Sequence, residues 1–298
     1  MRRAAAALLA LAVLAGAGCG SDGGAGSATE LLKRGFATDV DSGLLKLDAE
    51  LELEGIDELD GPLRLRLEGP FQAAGSPTDV PDMDVDFRAS GAGQEATGRV
   101  VLTRENAWIE FRGATYEVGE ELWARLRQAI EEQDQGQPQT FGEAGVDPLG
   151  WIEDAEEDGE AEVAGAPTAK VSASLDLEQM VGDFAKLTEG SEDPVPAGAV
   201  DRVDDYVDEV DFEAWIGEDD IWRRVRSGVE FEVPEEERDA AGGLEGGSAS
   251  LEIELSEPNE PVQIEGPAEA RPIEELLRQL GIPPELLLGP GFAPSLPG

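Results

Sequence analysis

The chain holds one cysteine and no histidine among 298 residues. That removes Ser-His-Asp and Cys-His nucleophilic schemes, zinc-hydrolase sets built on histidine, and the usual proton shuttle near neutral pH. No GxSxG elbow, SxxK pair or GxxxxGK[ST] loop occurs. A two-carboxylate hydrolase is weakly posed, because among 66 Asp and Glu some pair always meets the required spacing. Asp82, Asp84 and Asp86 follow a D-x-D-x-D spacing. Phe87 stands where an EF-hand loop needs glycine, and Gly93 stands where it needs its bidentate glutamate. These aspartates alternate with Met83, Val85 and Phe87, so a strand with a wet face is the better reading. Catalysis, a metal site and a cofactor are not expected.

The lone thiol, Cys19, has an informative setting. Met1-Arg2-Arg3 is a positive start, and Ala4 to Ala15 is an unbroken apolar run of signal-peptide length, too short to span a bilayer. Small residues 16–18 follow, then Cys19 and a flexible GSDGGAGSAT. The arrangement resembles the bacterial lipoprotein signal, in which cleavage leaves the cysteine as a lipidated N-terminus. It departs in having Gly16 three positions before the cysteine, where leucine is usual, with Leu14 two residues too early. An ordinary cleaved signal with an incidental cysteine, or an uncleaved anchor, are the alternatives. A solitary unpaired thiol is an odd residue to export otherwise. Lipidation at Cys19 would hold the protein on the extracytoplasmic face of the cell membrane, since two or more acyl chains anchor stably where one does not.

The formal net charge is −44, with 22 Lys and Arg against the 66 acids. Phosphate-backbone binding needs basic patches, so nucleic acid is excluded as a partner, and basic docking on anionic lipid is disfavoured. Lysine occurs only at 33, 46, 170 and 186. The acidity reads as a well-hydrated, solubilising surface. With one cysteine there is no intramolecular disulfide, and the fold rests on its core.

The elements follow from periodicity. Residues 29–38 predict a short amphipathic helix. Leu45, Leu47, Ala49, Leu51 and Leu53 alternate with Lys46, Asp48, Glu50 and Glu52, the pattern of a half-buried antiparallel strand. After a turn at Asp60-Gly61, Leu63, Leu65 and Leu67 alternate with Arg64, Arg66 and Glu68, placing arginines across from the first strand's acids. Further strands are expected over 83–89, 99–103, 107–111, 116–118, 160–163, 169–175, 210–216, 221–233 and 249–255. Helices are expected over 120–132, 177–187 and 199–207, and residues 133–145 read as a polar linker. About ten antiparallel strands with few helices predict a mainly β (α+β) fold, a large curved antiparallel sheet whose apolar faces line one shared surface.

In order and local phrasing the chain resembles the LppX/LprG-type envelope lipoproteins. The segments that carry the resemblance are GLLKLDAELELEG, RVVLTRENAWIEFRGATYEV, VDPLGWIED, VDFEAWIGEDDIWRRVRSGVEFEV and GSASLEIELSEPNEPVQIEGP. The resemblance implies a half-open β-barrel crossed by helices over a domain at 29–267. The residues themselves give a signal over 1–18, a tether over 19–28 and an apolar C-terminal tail over 268–298, whose length departs from the family. It further implies a carrier that shelters the acyl chains of a lipid or glycolipid. The matching inward wall positions are Leu47, Leu51, Leu65, Val85, Phe87, Ile109, Phe111, Val225, Val229, Leu251 and Ile253. Each is equally a position for ordinary core. The competing reading is a structural or sensing lipoprotein with a filled core, acting through its surface on an unknown protein partner. Trp215 and Trp222, both set opposite the apolar parity beside one turn, are expected to pair on the outer face. The tail, if it folds into the mouth, would serve as a lid or plug.

Overall fold

The computed structural model describes residues 28–56, 61–74, 80–133, 148–187, 200–239 and 241–282. The signal, Cys19, the turn at Asp60, the linker over 134–145 and the tail beyond 282 lie outside them.

Strict two-residue alternation drives the architecture. β1 (Ser42–Glu54) lies between β2 (Leu63–Gln72) and β11 (Gly246–Ser256), both antiparallel to it. In that register Leu47 stands between Leu67 and Ile253, while Asp48 stands between Arg66 and Glu252. Across these three strands one face is therefore oily and the other ionic.

From β2 the chain runs as a meander through β3 (Asp82–Gly91), β4 (Gln94–Leu102), β5 (Ala107–Phe111) and β6 (Ala114–Glu117) to one side of the sheet. It re-enters at the opposite edge with β7 (Ile152–Val163). It then returns through β8 (Ala166–Leu175), β9 (Val207–Gly217) and β10 (Trp222–Glu232) to β11. A two-residue β12 (Arg271–Pro272) adds in parallel beside β6. The result is a single curved sheet of twelve strands that does not close into a barrel. The fold is mainly β with few helices, and only the two-residue β12 has no counterpart among the strands the sequence pattern predicts.

The helices are α1 (Ala28–Ala37), α2 (Glu120–Gln133), α3 (Leu177–Leu187) and α4 (Ile273–Leu280). α1 buries Leu32 and Gly35 on the apolar face, with Phe36 tilted against Phe212 at 6.4 Å between ring centroids. Arg34 pairs with Asp220 in the β9–β10 turn. α4 buries Ile273, Leu276 and Leu277 against Tyr116, with Ile109, Phe111 and Leu122 packed around them. Gly281 in the left-handed conformation ends it, its backbone N–H directed at the carbonyls of Arg278 and Leu277.

Three expectations are corrected. Residues 199–207 do not form an α-helix: Val200–Asp205 is a 3-10 turn, and β9 already begins at Val207. β7 starts eight residues earlier than the expected Glu160. Its acids are those of an edge strand, where charge and two register shifts discourage pairing with another chain. Trp222 is not on the outer face. A register shift between Trp222 and Arg224 turns it inward beside Ile216, into the core under α1.

Candidate functional site

The face that α1 and α4 cover carries all eleven inward positions singled out above. Register sets them in rows across the sheet. One row holds Phe111, Gly98, Phe87, Leu67, Leu47, Ile253, Val225 and Ala214. The row on its one side includes Ile109 and Val85, joined through Val100. On its other side run Ala96, Ala89, Leu65, Ala49, Leu251 and Ser227, and beyond these Leu63, Leu51, Ala249 and Val229.

The eleven do not share one environment. Val225 and Ile253 are buried in the cluster under α1 with Leu32, Phe212, Ile216 and Leu255, and Leu47 and Leu251 pack against it. Ile109 and Phe111 pack under α4. Val85 is buried. Leu51, Phe87 and Val229 are half-buried, and Leu65 is 40% exposed. The two helices thus cover the two ends of the row system, and the middle strands carry apolar side chains that the protein buries only in part.

Small residues stand beside this middle region. Ala49, Ala89 and Ala96 share the row of Leu65. Phe87 packs against Gly98, where a Cβ would stand 2.6 Å from its Cε1. Only glycine lets that ring rest on the neighbouring strand.

The opposite face is an ionic lattice. Arg64 donates to Glu50 and Arg66 to Asp48, the cross-strand pairing expected from the alternation. Arg226 joins Glu252, Arg224 joins Glu254, and Lys170 joins Glu213. Asp84 pairs with Arg99, and Asp82 accepts the Arg104 backbone N–H, so the D-x-D-x-D run lies along this wet face. Among the described residues no group of three or more acids or thiols is set to hold a metal ion.

Sequence reasoning missed two features here. Trp215 is buried on the ionic face beneath the cations of Lys170, Arg224 and Arg226, each within 6 Å of its ring. Trp108, also on this face, is held under the extended segment after β11: a Cβ on Gly266 would collide with its indole. The chain therefore passes over the ionic face before turning past β6, so that α4 reaches the apolar one. Alternation marks the parity of both tryptophans but not what lies over them.

The short link into β7 is also tied down. Trp151 Nε1 donates to Asp183 of α3 at 2.8 Å, and Lys186 Nζ donates to the same carboxylate at 2.6 Å. Burial would raise the Asp183 pKa. The two hydrogen bonds and the lysine charge outweigh it and hold the carboxyl below its ordinary range.

No protein-family model matches the chain, and no curated protein matches its sequence. Solved structures resemble it in fold. Lipoprotein LppX of Mycobacterium tuberculosis is 11% identical at a TM-score of 0.40, over 80% of this chain and 98% of that one. LprF from Mycobacterium bovis is 12% identical at 0.40, over 81% and 97%. The MucA/MucB complex of Pseudomonas aeruginosa gives 12% and 0.29, over 81% of this chain and 61% of that one. LppX is of the type that the sequence resembles.

Proposed function

We propose that this protein is a non-catalytic extracytoplasmic carrier. Tethered to the bacterial cell membrane through lipidated Cys19, it shelters the acyl chains of a lipid or glycolipid on the apolar face of its open sheet. The observation that supports this most is the middle of that face. Leu51, Leu65, Phe87 and Val229 remain only partly buried between two helix-covered clusters, in a chain whose other face is laced with ion pairs. Scattered surface leucines need no explanation, but an apolar row with small residues beside it is the form that a chain-shaped guest would fill.

The partner in this reading is a neutral or weakly polar lipid, held by burial of its hydrocarbon. About 25 cal/mol per Å² of apolar surface removed from water is enough for a twin-chain lipid to bind without any charged contact.

Native mass spectrometry of the protein extracted from its own membrane tests the reading. The expected spectrum shows lipid adducts that Leu65→Glu removes while the protein stays folded. A protein that emerges empty and takes up no offered lipid would overturn the proposal and favour a scaffold acting through its surface.

A further inference from the structure

Beyond the Gly281 cap, Ile282 packs on the apolar face against Tyr116, Ile273, Leu276 and Leu277, where Ile109 and Phe111 of β5 also pack. Sixteen residues follow it, PPELLLGPGFAPSLPG. Glu285 is their only charge, in a chain of which 30% is charged. Five of the sixteen are proline, two of them directly after Ile282, and these cannot continue α4. Among the described residues, Leu65 and Leu280 are the large apolar side chains left exposed, at 40% and 48%. Leu280 ends α4, where this segment departs, and Leu65 stands in the open middle of the face. Between them the strand order runs β5, β4, β3, β2. Phe87 is two strands from β5 and Leu65 three, about 10 and 14 Å at the spacing of neighbouring strands. Leu286 and Leu288 come four and six residues after Ile282, an extended reach of about 14 and 20 Å. One uncharged segment and one uncovered apolar row therefore lie within each other's span.

We propose that residues 283–298 dock in cis on the open middle of the apolar face, with Leu286, Leu287 and Leu288 over Phe87 and Leu65. The segment then holds the place that the carrier reading gives the guest, and a guest must displace it to bind. That consequence rests on the carrier reading; the docking itself does not. Proline suits the task, because each one removes a backbone N–H that an oily surface would leave without a partner, and its fixed φ lowers the entropy lost on docking. Covalent attachment favours this occupant over a second copy. A short linker presents the segment at a concentration on the order of millimolar. A second copy would bring a formal charge of −44 against another of −44.

A benzophenone amino acid in place of Leu287, photolysed in the full chain, tests the docking. Its adducts should be intramolecular, unchanged by dilution, and map to β2 and β3 around Leu65 and Phe87. Adducts between two copies, adducts with lipid, or none on these strands would overturn it. Nile red reads the consequence. A segment that covers the row about nine-tenths of the time weakens the apparent affinity of a competitor about tenfold. A chain ending at Ile282 should therefore bind the dye about tenfold more tightly than the full chain. Leu286→Ser, Leu287→Ser and Leu288→Ser together, in a chain of full length, should do the same. If both variants take up the dye no better than the wild type, the inference fails and the carrier reading stands. If the shortened chain takes up no dye, the carrier reading fails, and the position of the adducts alone decides the docking.

Discussion

Gly35 of α1 lies against Ile216 of β9 so closely that a Cβ on Gly35 would stand 2.8 Å from the Ile216 Cδ1. Both residues are buried, and the contact sets how near the helix comes to the sheet. Leu32 and Phe36 can seal their end of the apolar face only at that distance. Gly35→Val should therefore cost about 1–3 kcal/mol through overpacking. The same change should cost less in an Ile216→Ala background, where the space exists. A double-mutant cycle by urea denaturation reads this coupling, and strictly additive losses would show that the contact does not set the helix.

Asp183 carries a pH signature. Its carboxyl titrates below the ordinary value of 3.8 in the folded protein, because the hydrogen bonds from Lys186 and Trp151 outweigh the effect of burial. The folded pKa is depressed, so the anion contributes stability that is fully present above the unfolded value and lost as pH falls through the folded one. Asp183→Asn should lower stability at pH 7 by about 1–3 kcal/mol, since it weakens both contacts to a buried indole and an ammonium. The difference between variant and wild type should shrink as the pH falls below the ordinary carboxylate range and through the depressed folded value. Urea melts at neutral pH and along an acid series provide the comparison.

Most strands were legible because they carry one oily and one ionic face, and β1 with β2 shows how far that reaches. Their alternation predicts both the sheet and the pairing of Arg64 with Glu50 and Arg66 with Asp48. Trp222 was misread because a bulge reverses parity, and nothing in WIGEDDIWRR marks where the extra residue falls. β7 was read short because an edge strand needs no apolar alternation, and its acids outnumber its hydrophobic residues. Of the candidate site, the shared face was legible from period two. The division into covered ends and an open middle was not, because it depends on where α1 and α4 dock, which strand periodicity does not encode.

Salt should stabilise this protein although it weakens the ion pairs. Each exposed pair on the outer face contributes about 0–1 kcal/mol, and the formal excess of 44 negative charges repels itself throughout the fold. Raising sodium chloride from 0.05 M to 1 M shortens the screening length to about 3 Å and relieves that repulsion. The melting temperature should rise across this range. A fall would mean that the cross-strand pairs outweigh the net charge.

α4 should behave as part of the folded unit. Leu276 and Leu277 are buried against Tyr116 and its neighbours, so Leu276→Ala and Leu277→Ala should each cost about 2–5 kcal/mol. Gain of fluorescence from 8-anilinonaphthalene-1-sulfonate in a Leu277→Asp variant would report the uncovering of Ile109 and Phe111. Unchanged fluorescence and stability would mean that the helix rests on the sheet without contributing to it.

The carrier account is tested most directly by a photoactivatable acyl chain and the position of its cross-links. A diacyl probe with a diazirine in its hydrocarbon should label saturably, in competition with natural lipid. Its adducts should map to β1, β2, β3 and β10 at or beside Leu51, Leu65, Phe87 and Val229. Labelling that is unsaturable, or that falls on the ionic face around Arg64, Arg66 and Arg226, would contradict the account.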